Sequence, residues 1–229
     1  MTNDFTGWTL VFDLDGTLVE TAPDLHAALN HALASKGLGP VPLQAIRAMI
    51  GEGAKAMIRK GLVWHGQTID EGSIDQNLWP LFMANYLENI CRHSHAYDHA
   101  VATLEKLKAA GANLAVCTNK PQNLAEEVLR GLSLDHFFSA TLGGDMAKSK
   151  KPDGSHIRET ITLAYGDPAK AIMIGDSSID ERAARDAQLP FVFVTFGYGE
   201  MSGEPFTSLR VVNHWTEMEM ALLDFTRLN

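Results

Sequence analysis

Two aspartates beyond an apolar run are the residues most able to do chemistry in this chain. Asp13 and Asp15 follow a run from Trp8 to Phe12 that predicts a short buried strand, and Gly16 predicts the end of that strand. Alternate strand residues point the same way, so we expect both carboxylates at one edge of a sheet. Two carboxylates this close repel each other unless a cation or a shared proton reduces the repulsion. Carboxylate oxygens are hard ligands of the kind that magnesium prefers. Taken alone, the segment also fits an exposed turn.

Three later segments place polar side chains where further strands are predicted to end. They are Thr118-Asn119-Lys120, Lys150-Lys151-Pro152 and the stretch from Gly175 to Asp180. Ligands of an open parallel sheet bind beyond the carboxyl ends of its strands, so these segments are predicted to meet the two aspartates in one crevice. Such a set suits a phosphoryl group beside a divalent cation. Each segment alone is also explained as a helix cap, a turn or a solvated loop.

The first elements after the two aspartates are predicted to be helices. From about residue 20 to 92 the sequence predicts helices and no convincing strand. The first helix is expected to begin at Thr21, with the hydroxyl as its cap, and to end before Gly37. Others are predicted at about 43–50, 54–63 and 74–91, with Pro80 expected to kink or split the last one.

From Tyr97 onward, predicted helices alternate with short apolar strands. Strands are predicted at 113–117, 140–142, 171–174, 191–195 and 209–212, and helices at 100–110, 122–132, 155–164, 180–187 and 217–228. This alternation is typical of a parallel sheet covered by helices on both faces. We therefore predict an α/β fold: a doubly wound parallel sheet, or Rossmann-like core, of residues 1–19 and 93–229, with a helical cap at 20–92 inserted after the first strand.

Composition narrows the class of partner. The chain has 229 residues and a formal net charge of −9, which argues against a protein that neutralises nucleic-acid phosphates. Cys91 and Cys117 are too few for a disulfide framework. With no apolar stretch that could span a bilayer and no signal-peptide pattern, we expect a cytoplasmic protein without membrane or nucleic-acid partners, whose oligomeric state stays open.

The four polar segments resemble, in order, the motifs of the haloacid dehalogenase superfamily. The matches are Asp13, Asp15, Gly16 and Thr17 to DxDGT, Thr118 to the Thr/Ser motif, Lys151 and Pro152 to the Lys-Pro motif, and Gly175, Asp176, Ser177 and Asp180 to GDSxxD. Lys151 is preferred to Lys150 only because a proline follows it. Residues 12–25, 46–62 and 194–199 are similar to the phosphoglycolate phosphatase branch.

This resemblance implies a phosphatase that acts on small phosphorylated metabolites through an aspartyl-phosphate. Asp13 would be the nucleophile, and Asp15 the general acid that later activates water. The resemblance also implies a Mg²⁺ cofactor held by Asp13, the Asp15 carbonyl and Asp176, with Asp180 orienting the metal shell.

The remaining phosphoryl oxygens would be held by Lys151, the Thr118 hydroxyl and backbone N–H groups near Asn119. The cap would cover the crevice and exclude water. Gly51 and Gly53 either let a cap loop approach the ligand or form a tight turn between helices.

Two cap cations, Arg47 and Lys55, are candidate contacts for a substrate carboxylate if the substrate is phosphoglycolate. Trp64 and Trp79 are expected in the packed interior of the cap.

Two other function classes stay open. A sugar phosphomutase uses the same covalent intermediate, and a binding module would keep the fold without turnover. The intact set of reacting groups argues against the binding module. Dehalogenases of the superfamily lack the second aspartate, so the presence of Asp15 argues against dehalogenation.

Overall fold

The centre of the fold is a six-stranded sheet whose pairings are all parallel, as seen in a computed structural model that describes residues 4–206 and 208–226. In spatial order the strands are β5 (Ala140–Gly143), β4 (Asn113–Thr118), β1 (Thr9–Phe12), β6 (Ala171–Gly175), β7 (Phe191–Val194) and β8 (Leu209–Val212). The chain moves outward from β1 to β4 and β5, then returns to β6 on the other side of β1. This reversal creates a switch point, the usual place for a ligand in a doubly wound sheet. The predicted fold class is confirmed.

Helices cover both faces of this sheet. They are α6 (Ala100–Ala109), α7 (Gln122–Gly131), α8 (Ser155–Leu163), α9 (Ser178–Ala187) and α10 (Met218–Thr226). Alternate residues of β1 serve different faces, since Leu10 and Phe12 pack in one hydrophobic cluster and Val11 packs in the other. The predicted bounds agree within a few residues, and the last residues of the helix predicted at 217–228 lie outside the described part of the chain.

A helical insertion follows the first strand. Its helices are α1 (Ala22–Ala34), α2 (Leu43–Arg47), α3 (Ala54–Trp64), α4 (Glu71–Ser73) and α5 (Trp79–Glu88), with a π-helical turn at Ile74–Leu78. The wide turn stands directly before Pro80, which has no N–H and whose ring opposes the carbonyl four residues earlier. Pro80 therefore splits the helix predicted at 74–91. Leu29, Phe82 and their neighbours form a second hydrophobic cluster, in which Leu124 of α7 joins side chains of this insertion.

The boundary between sheet and insertion contains strands that the sequence does not predict. β2 (Val19–Glu20) pairs antiparallel with β3 (His95–Ala96), where the chain leaves the core and returns. Two-residue strands have no readable periodicity. The prediction that the stretch from about residue 20 contains no strand is therefore wrong at Glu20, which belongs to β2.

Two further expectations about the insertion are wrong. Thr21 makes no side-chain cap bond to α1, because its hydroxyl donates to Asp15 instead, at 2.6 Å. Trp64 is 53% exposed, whereas Trp79 packs against the insertion's own cluster. In the described ranges, the helices are all too short or too polar to cross a bilayer.

Candidate active site

The residues predicted to do chemistry lie beyond the carboxyl ends of β1, β4 and β6. Asp13 follows β1, Thr118 ends β4 and Asp176 follows β6. Because β1 lies between β4 and β6, these ends meet at one point of the sheet. A cavity at this point is lined by Asp13, Asp15 and Thr118 from the core and by residues between 50 and 57 of the insertion.

A tight turn, not strand alternation, presents the two aspartates. β1 ends at Phe12, earlier than Gly16 predicts, and both Asp13 and Asp15 lie in the turn that follows. Gly16 has a φ of +87°, which glycine adopts without steric strain. A Cβ at this position would lie only 2.4 Å from Asp176 Oδ2. The turn thus packs directly against another carboxylate of the site.

A buried lysine links two carboxylates. Lys151 Nζ lies 2.8 Å from Asp13 Oδ1 and 2.7 Å from Asp180 Oδ1, and it donates to the Cys117 carbonyl at 2.7 Å. Burial alone would lower the pKa of Lys151, but the charges of Asp13 and Asp180 outweigh burial and hold it above its ordinary value. Lys150 is exposed, so of this adjacent pair the structure brings Lys151 into the site.

Asp180 both caps a helix and orients Lys151. Its Oδ2 accepts hydrogen bonds from Ser177 Oγ at 2.7 Å and Ser177 N at 3.2 Å, which forms a capping box at the start of α9. Its Oδ1 accepts from Lys151. One oxygen of Asp180 thus belongs to the start of the helix and the other contacts the buried lysine, while the predicted orientation of a metal shell by Asp180 stays a prediction.

Asp176 is fixed by the loop that follows β7. Tyr198 N donates to Asp176 Oδ2 at 2.6 Å, and Thr17 Oγ1 donates to Oδ1 at 3.4 Å. A Cβ on Gly197 would lie 2.2 Å from Asp176 Cβ, so a larger residue there would displace the carboxylate. Asp176 thus has a defined orientation.

Asp13, Asp176 and Asp180 form a buried carboxylate cluster that fits a metal ion. Each offers an oxygen within 4.8 Å of the others. Burial raises the pKa of Asp13 to about 7 against the attraction of Lys151, and burial together with the charge of Asp180 raises the pKa of Asp176 to about 8. Lys151 alone does not balance the charge of three carboxylates, and a bound cation would compensate the remaining negative charge. An all-oxygen set suits a hard divalent cation.

The side chain of Asp15 has different partners. Its Oδ1 accepts from Thr21 Oγ1 at 2.6 Å and from Lys120 Nζ at 2.9 Å. Lys120 is buried, and its Nζ lies 4.8 Å from the centre of the Tyr86 ring of α5. Burial lowers the pKa of Lys120, but Asp15 and Tyr86 raise it above its ordinary value. The predicted metal contact through the Asp15 carbonyl stays a prediction.

Thr118 and Asn119 also line the cavity. Asn119 Nδ2 donates to the carbonyls of Gly51 at 3.0 Å and Lys151 at 2.9 Å, which ties the insertion to two core segments. Gly53 has a φ of +93°, and a Cβ there would lie 3.3 Å from the Asn119 carbonyl oxygen. The glycine loop therefore approaches the core closely, and its approach to a ligand stays a prediction.

Comparison with known proteins places this site in a family. Residues 10–194 match the family model of the haloacid dehalogenase-like hydrolases. The chain belongs to this hydrolase family. It is 40% identical over 221 residues to a phosphoglycolate phosphatase of Caulobacter vibrioides, with 96% of this chain and 93% of that protein covered. It is 42% identical over 191 residues to a phosphoglycolate phosphatase of Agrobacterium fabrum, with 83% and 82% covered.

A solved structure supports the same assignment for this hydrolase. A predicted phosphoglycolate phosphatase from Haemophilus somnus 129PT has a TM-score of 0.84 at 29% identity, with 95% of this chain and 97% of that chain covered. The family and the phosphatases among these relatives confirm the prediction of an enzyme that hydrolyses phosphoric monoesters.

Two cations predicted as substrate contacts are not brought to the site of this hydrolase. Arg47 Nη2 lies 2.5 Å from Glu20 Oε2, and Lys55 Nζ lies 2.6 Å from Asp75 Oδ1. Neither Arg47 nor Lys55 lines the cavity that contains Asp13 and Asp15.

Two other residues at the site received no role from the sequence. Lys120 follows the Thr118-Asn119 pair directly, so its position at a strand end is a signal that could have identified it. Tyr198 lies between two glycines in a segment noted only for its family resemblance. Its backbone contact with Asp176 depends on the path of a loop, which sequence spacing does not reveal.

Proposed function

We propose that this chain is a magnesium-dependent phosphatase that hydrolyses small phosphate monoesters through an aspartyl-phosphate, with phosphoglycolate as its leading substrate. The observation that carries the proposal is the position of Lys151, between Asp13 at 2.8 Å and Asp180 at 2.7 Å, beside a third buried carboxylate. The phosphoglycolate phosphatases of C. vibrioides and A. fabrum support the choice of substrate.

Asp13 is the nucleophile in this proposal. One carboxylate oxygen attacks phosphorus as the bond to the ester oxygen breaks, which produces an acyl-phosphate. The approach of two anions is unfavourable, and the Lys151 ammonium beside Asp13 reduces the repulsion. The Thr118 hydroxyl and backbone N–H groups near Asn119 would hold the other phosphoryl oxygens.

Asp15 is the proposed general acid and base. Its carboxyl group donates a proton to the leaving ester oxygen and then removes a proton from the water that hydrolyses the acyl-phosphate. Thr21 at 2.6 Å and Lys120 at 2.9 Å hold this carboxyl group at the edge of the cavity. Their contacts define where the proton is delivered.

The proposed ligands of Mg²⁺ are Asp13, Asp176 and the Asp15 carbonyl, while Asp180 orients the metal shell and Lys151 together. When bound, Mg²⁺ supplies positive charge that stabilises the phosphoryl oxygens. The buried carboxylate cluster, with the raised pKa of Asp13 and Asp176, supports this assignment.

The proposed domain division is a core of residues 1–19 and 93–229 and a cap of residues 20–92. Nearly all side chains of the second hydrophobic cluster belong to the insertion, which supports a unit that moves as one piece. Its residues between 50 and 57 line the cavity, so closure would exclude bulk water from the reacting groups. A cytoplasmic location stays a prediction from composition.

Phosphate release from a panel of monoesters, with and without Mg²⁺, tests this function. We expect release only with Mg²⁺ and the highest kcat/KM for phosphoglycolate. No release from any ester in the presence of Mg²⁺ would contradict the proposal. Free phosphate also separates a hydrolase from the sugar phosphomutase alternative, which the curated relatives do not favour.

A further inference from the structure

One cation of the cavity, Lys120, is placed to do more than hold the Asp15 carboxyl group. In the described part of the chain, Lys120 is the sole cationic side chain in the lining of the cavity beside Asp13 and Asp15. It is only 5% exposed, although it carries a charge. Burying an ammonium group is unfavourable unless it has an anionic partner. Lys120 contacts Asp15 at 2.9 and 3.3 Å, which orients its Nζ toward the cavity wall.

The position of Lys120 directly beside Asp15 suits a short phosphorylated acid. In the proposed reaction, Asp15 hydrogen-bonds the ester oxygen that leaves phosphorus. In phosphoglycolate a single CH₂ group separates that oxygen from the carboxylate. A cation adjacent to Asp15 is therefore within reach of this carboxylate when the ester oxygen contacts Asp15.

We propose that Lys120 binds the carboxylate of the substrate and makes the enzyme selective for phosphorylated 2-hydroxy acids over alkyl phosphates that lack a carboxylate. This inference rests on the proposed phosphatase function and assigns its specificity to one side chain. An ammonium group has three hydrogens, so Lys120 can donate to a substrate carboxylate and to Asp15 together. Asp15 also keeps the Thr21 hydroxyl as a second donor, at 2.6 Å.

The rest of the cavity is consistent with this assignment. The insertion contributes apolar side chains such as Leu25, Ile50 and Met57, which offer no hydrogen bond to a carboxylate. The first turn of α3 at Gly53 and Ala54 also lines the cavity, and α3 has no side-chain cap and no acidic residue in its first turn. The positive end of this helix dipole therefore adds to the attraction of Lys120.

Two esters of equal length test the proposal: phosphoglycolate and ethyl phosphate, which lacks the carboxylate. We expect wild-type enzyme with Mg²⁺ to prefer phosphoglycolate in kcat/KM. Lys120→Met is expected to reduce this preference by about 10- to 100-fold, the range for a hydrogen bond to a charged group, and mainly through a higher KM for phosphoglycolate. Any effect of the substitution on Asp15 acts on both esters and cancels in the ratio.

Lys150→Met is the matched control. Lys150 is an exposed lysine near Gly53 that lines an outer cavity and not the inner one, so the ratio should be unchanged. An unchanged ratio in Lys120→Met would overturn the role of Lys120 while leaving the phosphatase function intact. Failure to release phosphate from either ester would instead overturn the phosphatase proposal.

Inhibition by the alcohol product tests the same contact in the wild-type enzyme, and a second substitution at Lys120 checks the result from Lys120→Met. Glycolate should inhibit wild-type enzyme more strongly than ethylene glycol, and Lys120→Gln should remove that difference. Equal inhibition of wild-type enzyme by the two alcohols would contradict carboxylate binding at Lys120.

Discussion

Each buried lysine of the site is paired with a carboxylate of the first motif. Lys151 contacts Asp13 at 2.8 Å, and Lys120 contacts Asp15 at 2.9 Å. Removing one member of such a pair leaves a buried charge, which is destabilising by about 3–5 kcal/mol. Asp180 moderates this effect for Lys151 because it supplies a second carboxylate at 2.7 Å. Substitutions at Asp13 can therefore separate chemistry from stability.

Asp13→Asn should abolish phosphate release and leave the fold intact. The amide has nearly the same shape but is a far weaker nucleophile than a carboxylate, so we expect a loss of more than about a thousand-fold in kcat. Lys151 keeps its contact with Asp180. Phosphate release and the circular dichroism spectrum measure the two effects separately.

Asp98→Asn is the matched control, because Asp98 is exposed. The activity of this variant should equal that of wild-type enzyme. Hydrolysis by Asp13→Asn at the wild-type rate would show that another group attacks phosphorus.

At the scale of elements, the loop after β7 joins the buried carboxylate cluster to the start of the helical insertion. The Tyr198 backbone donates to Asp176, while its Oη accepts from Thr21 N at 2.6 Å and Ala22 N at 3.0 Å. The same hydroxyl donates to Glu20 Oε1 at 2.8 Å. The first N–H groups of a helix lack partners within the helix, and here a distant side chain supplies one. One residue thus fixes both a carboxylate and the start of α1.

Tyr198→Phe should lower the free energy of unfolding by about 1–3 kcal/mol, because the buried N–H group of Thr21 would lose its acceptor, whereas Ala22 N keeps Glu20 Oε1 at 3.2 Å. Urea denaturation measures this change. Tyr165→Phe is the matched control, since Tyr165 is 97% exposed, and it should change stability by less than about 0.5 kcal/mol. Equal stabilities of the two variants would contradict a structural role for the Tyr198 hydroxyl.

At the scale of the whole molecule, acid stability depends on a histidine buried between α8 and the sheet. His156 is fully buried; its Nδ1 accepts from Lys151 N at 3.3 Å, and its Nε2 lies 3.1 Å from the Leu142 carbonyl. Burial, followed by the charge of Lys151, lowers the pKa of His156 to about 4 from an ordinary value of 6.5. The neutral ring is therefore part of the folded state.

The contribution of His156 to the free energy of unfolding should fall as pH decreases from 6.5 to 4. In this range the unfolded histidine takes up a proton while the folded one does not, so His156 alone removes about 3 kcal/mol. The raised pKa of Asp13 and Asp176 acts in the opposite direction, but it is common to wild type and variants and cancels in their difference. Urea denaturation at several pH values should therefore show that wild-type enzyme loses stability relative to His156→Gln as the pH falls. His214→Gln, at an exposed histidine, should follow the wild-type curve. Parallel curves for all three proteins would rule out this contribution.

The sequence alone determined the fold class, the family and the order of the reacting groups. Hydrophobic periodicity is a local property, so it predicts each helix and strand from its own residues. The carboxyl ends of neighbouring parallel strands lie at the same edge of the sheet. Asp13, Thr118 and Asp176 were therefore predictable neighbours. The choice of Lys151 over Lys150 needed only a neighbouring proline.

Only the tertiary structure decided which charged groups face the cavity. Arg47 and Lys120 are both cations in the sequence, but Arg47 pairs with Glu20 outside the cavity while Lys120 is buried beside Asp15. Likewise the Thr21 hydroxyl, expected to cap α1, donates to Asp15. These outcomes depend on contacts between residues distant in the chain, such as Lys120 and Asp15, and local patterns carry no information about which partner lies nearest in space.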